Sequence, residues 1–213
     1  MAAARARPSA YDSLVFINCP FDEKYTKLFH ALVFAIHDLG FQARHALIDD
    51  GNAIRLTRIS DELRNCKYSI HDLSRVETGG KLNLPRFNMP FEAGIAYGIH
   101  ATASAARPHH LLLLDAKPYR YQASLSDAAG LDPKIHHGLP EEAIRAVRNF
   151  LVARSRASHL AGAAYIAKRH ALFFSKLPLL ARTRNLKISE VRSWAYVNDL
   201  QAIMAQWIRD NPA

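Results

Sequence analysis

Positions 13–19 read Ser-Leu-Val-Phe-Ile-Asn-Cys, a β-branched and aromatic run stopped by Pro20. Such a run predicts a buried strand, and the proline ends it because it cannot donate to a ladder. Leu28, Leu32, Val33, Ile36 and Leu39 then recur at three- and four-residue spacing as far as Gly40. That pattern predicts an amphipathic helix with a glycine C-cap. A second strand is predicted over 41–48, followed by a turn of Asp49, Asp50, Gly51 and Asn52. Residues 55–66 place Leu56, Ile59 and Leu63 on one helical face, and 68–73 predicts a third strand. A third helix is predicted over 88–101, where Ala93, Gly94, Ala96 and Gly98 allow close packing. Residues 111–115 predict a fourth strand, 121–125 a fifth, and 141–154 a further helix.

Strands alternating with helices of this length predict a parallel sheet with helices on both faces. The flavodoxin-like order 2-1-3-4-5 is the common solution for five such strands. Residues 158–213 contain no strand-like run. Their Phe173, Leu177, Leu180, Trp194, Leu200, Met204 and Trp207 predict two or three helices packed back on the sheet. The expected architecture is therefore α/β: a three-layer, flavodoxin-like domain over 1–157 with a mainly parallel five-stranded sheet, and a C-terminal helical extension over 158–213.

Composition supports a packed core, with 49% hydrophobic and 22% charged residues in 213 positions. No apolar run approaches the ~18–20 residues of a membrane span, and residues 1–8 carry two arginines without the apolar stretch of a secretory signal. Cys19 and Cys66 alone cannot make a disulfide framework, so a cytoplasmic protein with free thiols is expected. The net charge of +9 is uneven: 1–139 holds 16 Lys/Arg against 14 Asp/Glu, whereas 140–213 holds 12 against 5. Arg145, Arg148, Arg169, Arg182 and Arg192 stand at helical spacing without interleaved aromatics, which suits a solvated helical face better than a nucleic-acid surface.

In an open α/β sheet, ligands bind beyond the carboxyl ends of the strands, at the switch in strand order. That rule collects Asn18-Cys19-Pro20-Phe21-Asp22 after the first strand and His71-Asp72-Leu73-Ser74 after the third. Arg86-Phe87-Asn88-Met89-Pro90-Phe91-Glu92 joins them at the opening of the third helix. Glu92 is the leading candidate. A first-turn placement would set its carboxylate against the positive helix end, and Phe21, Phe87 and Phe91 would exclude water around it. An ionised carboxylate in an apolar cleft stabilises or captures a sugar oxocarbenium ion; satisfying the helix dipole is its other role. Asp72 suits either an Asx turn or a functional carboxylate. Asn18 and Asn88 suit hydroxyl binding, and Asn88 equally a helix cap. Arg55 and Arg86 suit a phosphate or surface ion pairs. Phe21 suits stacking on a base, or covering the sheet end. Cys19 with His71 allows a thiol nucleophile, against which stands the common burial of cysteine. The pairs His109-His110 and His136-His137 are too close in sequence to chelate together, so no metal site is expected. Neither a dinucleotide-binding glycine fingerprint nor a Walker loop occurs.

The run Asn88-Met89-Pro90-Phe91-Glu92-Ala93-Gly94-Ile95-Ala96-Tyr97 resembles the segment around the catalytic glutamate of nucleoside 2-deoxyribosyltransferases, with Met89-Pro90 where that motif has Gly-Thr. TIR-type NAD-cleaving domains are similar in layout, and Phe16-Ile17-Asn18-Cys19-Pro20-Phe21-Asp22 resembles the first strand and loop of bacterial TIR-like proteins. The resemblance spans roughly 13–127. It implies cleavage or transfer at the N-glycosidic bond of a nucleotide, with NAD as first candidate substrate and no cofactor. Glu92 would be nucleophile or electrostatic stabiliser, and Asp72 would aid the leaving base or bind sugar hydroxyls. Asn18, Phe21, Ser74, Arg86 and Asn88 would contact substrate. It also implies a homo-oligomer. The other function class is a nucleotide-sensing or TIR-type interaction module without catalysis.

Overall fold

Strand β1 (Leu14–Asn18) follows a single helical turn, α1 (Ala10–Ser13), and all but its first residue are buried. An apolar, β-branched run of this kind is stable only where both faces are covered, as in a parallel sheet. The computed structural model describes residues 10–47, 55–75, 78–79, 84–85, 87–120, 125, 130–155 and 160–213. Along the chain, α2 (Thr26–Asp38), β2 (Gln42–His45), α3 (Arg55–Asn65) and β3 (Tyr68–Asp72) follow β1. A small antiparallel pair, β4 (Thr78–Gly79) with β5 (Leu84–Pro85), precedes α4 (Asn88–Thr102), β6 (His110–Asp115) and β7 (Lys134–Ile135). Helices α5 (Pro140–Arg154), α6 (Ala163–Arg182), α7 (Ile188–Val191) and α8 (Val197–Asp210) complete it.

The main sheet runs β2-β1-β3-β6-β7, with every pairing parallel. This is the flavodoxin-like order, and the sense of strand succession reverses between β1 and β3. The fifth strand is Lys134–Ile135, joined through Leu114↔Lys134 and Asp115↔Ile135. It replaces the strand expected at 121–125, of which 121–124 lie outside the described residues and Leu125 is not extended in a strand. The expected turn at 49–52 also lies outside them.

Helices α2 and α5 cover one sheet face, α3 and α4 the other. The larger core joins β1, α2 and α5 to α6 and α8 through Val15, Phe29, Val147, Phe173 and Trp207. Helix α2 lies between the sheet and the C-terminal helices, so that every residue from Leu28 to Ile36 is buried. That double contact is why its apolar positions run nearly all round the helix, not along one stripe. Its end is set by Gly40 at φ +81°, whose N–H reaches the His37 carbonyl while Phe41 N–H reaches that of Ile36; a β-carbon is disfavoured in that left-handed conformation. In α5 the start has Pro140, Glu141 and Glu142, and the last turn Arg154, which complements the helix dipole. Among the described residues no helix is long and apolar enough to cross a membrane.

Candidate functional site

Neighbouring residues of a strand point to opposite faces, and at the carboxyl edge of this sheet that alternation sorts the polar groups into two clusters. Asn18 and His71 are register partners on β1 and β3, at the switch in strand order, and both face α3 and α4. The Asn18 amide nitrogen lies 3.2 Å from His71 Nδ1, and Asn18 also hydrogen bonds Glu92 of α4. Asn18, His71 and Glu92 are all buried, Glu92 at 5% exposure. Glu92 Oε2 and His71 Nε2 find no hydrogen-bond partner among the described residues. Buried polar atoms are nearly always paired, and two orphans fall together in this cluster at the switch point, which makes it the candidate site.

Glu92 is the fifth residue of α4, in its second turn and not its first. Phe87 precedes the helix and offers no side-chain cap, and Asn88 is exposed and does not cap it. The expected dipole effect is therefore weak, since it fades within one turn. Burial pushes the Glu92 carboxyl above its ordinary value, while Arg55 and the Asn18 hydrogen bond pull it back less strongly. The expected aromatic enclosure is also corrected. Phe87 and Phe91 are 63% and 60% exposed, so neither walls off the carboxylate. Phe21 is half-buried, packs edge-on to Trp194 at 5.4 Å, and carries the Arg55 guanidinium 5.8 Å from its ring centroid. Arg55 thus touches Phe21 while its charge acts on Glu92. Arg86 lies outside the described residues.

Asp72 belongs to the other face. Its Oδ2 accepts from the Tyr25 hydroxyl at 2.5 Å and from His136 Nε2 at 2.9 Å, and its Oδ1 accepts from the Ser74 amide at 2.7 Å. The last contact is the Asx turn that was one of its two expected roles. Burial opposes ionisation, but His136, Ser74 and Tyr25 together hold the carboxyl below the usual aspartate value. His136 Nδ1 accepts from the Gly138 amide at 2.9 Å, so Nε2 carries the hydrogen given to Asp72. His137 and Gly138 at φ 53° and 75° make the tight turn that brings this amide back. Asp72 and Ser74 are therefore joined to each other, and neither is brought to Glu92. The sequence reading missed Tyr25 and His136. In sequence, His136 reads only as half of an adjacent histidine pair weighed for metal binding, and Tyr25 carries no local signal.

Of the two readings of Cys19, plain burial holds and the thiol pair with His71 is not formed. Cys19 faces the α2 core and His71 the α4 side. Burial pushes the Cys19 thiol well up, with Asp72 and Asp22 adding to it, whereas burial lowers His71 to about 3. An uncharged thiol beside no base is no nucleophile. His109 bridges Ser69 Oγ and the Cys66 carbonyl, both at 2.9 Å, and so ties β3 to its own approach. Among the described residues no group of three His, Cys, Asp or Glu is placed to hold a metal ion. A cavity of about 600 Å³ lies on the α2 side of the sheet, and none of the expected site residues lines it. No family model, curated protein or solved structure matches the chain.

Proposed function

We propose that the Asn18–His71–Glu92 cluster cleaves or transfers the N-glycosidic bond of a nucleotide, with NAD as the first candidate. The observation that supports it most is the buried Glu92 carboxylate, one oxygen unpaired among the described residues, at the switch point of the sheet. In this reading the C1′–N bond breaks with its electron pair leaving on the base. The free Glu92 oxygen then stabilises the ribosyl cation or bonds to C1′. Water or a second nucleotide adds at C1′ and gives up its proton. Asn18 orients the carboxylate through its amide, and Arg55, whose charge acts on Glu92, would meet a phosphate. Asp72, saturated by three donors, holds the end of β3 and does not move protons.

Incubation with NAD, NADP, nucleoside monophosphates and deoxynucleosides, followed by chromatography for released base, tests this reading. Glu92→Gln should reduce turnover on the order of 100-fold, because preorganised charge is usually the largest catalytic contribution. Full turnover in a folded Gln variant refutes the mechanism. A second reading, a nucleotide-sensing or TIR-type interaction module, is favoured by one observation: Phe87 and Phe91 project exposed from the start of α4. Nucleotide binding without base release by the wild-type chain would select it.

A further inference from the structure

The cavity of about 600 Å³ is a half-open cleft lined by parts of the chain that meet only because the C-terminal helices fold back. Thr26, Lys27 and His30 come from α2, His170 and Phe174 from α6, and Arg192, Ser193 and Trp194 from the segment after α7. Its volume is that of a small-molecule site.

The walls are aromatic. His30 stacks on Phe174 at 5.4 Å and 16°, His170 leans on Phe174 at 4.8 Å, and Trp194 closes the side toward Phe29 at 4.9 Å. The rim is cationic. Lys27 and Arg192 are both exposed, and among the described residues neither has an ion-pair partner; the lining holds Glu23 as its acidic residue. Two wall residues also carry unsatisfied groups, since His170 Nε2 and Trp194 Nε1 are buried without a hydrogen-bond partner among the described residues. Burial lowers His30 and His170 to about 4, so at neutral pH they line the cavity as uncharged rings. A wall built for stability alone would pair such groups. Stacked faces accept a flat ring, and unpaired guanidinium and ammonium groups accept an anion.

We infer that this cavity is a ligand site, separate from the Glu92 cluster, for a planar aromatic ring bearing a phosphate or carboxylate. Its lining comes from the α2 side and shares no residue with the Asn18–His71–Glu92 cluster, though Trp194 of its wall packs against Phe21. The inference does not rest on the glycosidic reading.

Trp194 reports occupancy directly. The chain has two tryptophans, so Trp207→Phe leaves Trp194 as the single fluorophore. The probes are adenosine monophosphate and indole-3-acetate, with adenosine and inorganic phosphate as the ring-only and anion-only controls. Saturable quenching is expected with one or both probes, at least roughly tenfold weaker with either control, since each control lacks one of the two contacts. Arg192→Ala should weaken the probe about tenfold, the usual worth of a charge-assisted contact. Glu92→Gln should leave it unchanged, which separates failure here from failure of the glycosidic reading. Quenching by the phosphate probe but not the carboxylate, or the reverse, supports the site and identifies its anion. Absence of saturable quenching by either probe up to about 10 mM, tenfold beyond a millimolar dissociation constant, overturns the proposal. So does equal binding of adenosine, or unchanged binding in an Arg192→Ala chain that melts like the wild type.

Discussion

Glu92 and Asp72 are both buried carboxylates at one sheet edge, yet their surroundings push them in opposite directions. Burial dominates at Glu92 and raises it, against Arg55 and Asn18. Folding therefore prefers its protonated form, and stability falls as pH climbs from the ordinary glutamate value through the raised folded one. Glu92→Gln cannot ionise and escapes that loss. It should melt above the wild type at pH 8 and level with it at pH 3. Thermal melts at the two pH values check this, and a Gln variant that melts lower at pH 8 would contradict it. The same direction governs activity: if the ionised form is needed, turnover rises with pH through a midpoint above the usual glutamate range. Arg55→Ala, which removes the opposing cation, should move that midpoint higher still, read from a pH–rate profile.

At the scale of elements, Asp72 joins three of them: the end of β3, the entry to α2 through Tyr25, and the turn after β7 through His136. Its folded pKa is lowered, so its contribution to stability is complete above the ordinary aspartate value and disappears as pH falls through the depressed one. Asp72→Asn removes the charge that three donors converge on, and should cost about 3 kcal/mol, the range for breaking charged, buried hydrogen bonds. Urea midpoints at pH 7 measure it; a midpoint equal to the wild type would show the three elements hold without the carboxylate. This network also marks where sequence reading stopped. β1, β3, β6 and the Gly40-capped α2 were readable because an apolar run or a three-and-four spacing is a local signal, whereas β2, Gln42–His45, is a four-residue alternating strand shorter than the 41–48 expected. Tyr25 and His136 stand 47 and 64 positions from Asp72, and no local pattern carries that. The fifth strand was misplaced because Lys134–Ile135 is two residues long, joined by backbone pairing and carrying no apolar run. Glu92 was recognised as the candidate carboxylate, and its helix starts where expected, at Asn88. But Glu92 is the fifth residue, past the first turn, and Phe87 and Phe91 point to solvent, so the dipole and the aromatic wall expected around it both failed.

At the scale of the whole molecule, the C-terminal helices are part of the core. Ile166, Phe173, Leu177, Leu200 and Met204 are buried in the same cluster as Val15 and Phe29. The expectation that the arginines of this region form a solvated face fails at Arg169. Its guanidinium is buried, with Nε 2.9 and 3.1 Å from the two Asp38 oxygens of α2, and Nη2 2.6 Å from the Asn211 carbonyl beyond α8. The faces of Trp207 and Tyr165 lie 5.2 and 5.9 Å from it. One side chain thus ties α6 to α2 and to the end of α8. The Asp38 side chain is fully buried, so Arg169→Met would leave its charge without the partner that compensates desolvation. The expected loss is about 3–5 kcal/mol. Replacing both, Arg169→Met with Asp38→Leu, should recover most of it, because removing a buried pair together is far less costly than stranding one member. The measurement is a double-mutant cycle from denaturant midpoints, followed by both Trp fluorescence and far-ultraviolet circular dichroism. If α6 to α8 were a separable attachment, Arg169→Met would shift the tryptophan signal and leave the dichroism of the sheet and its helices on the wild-type curve. A single shared transition that moves in both signals is the result expected from one continuous core.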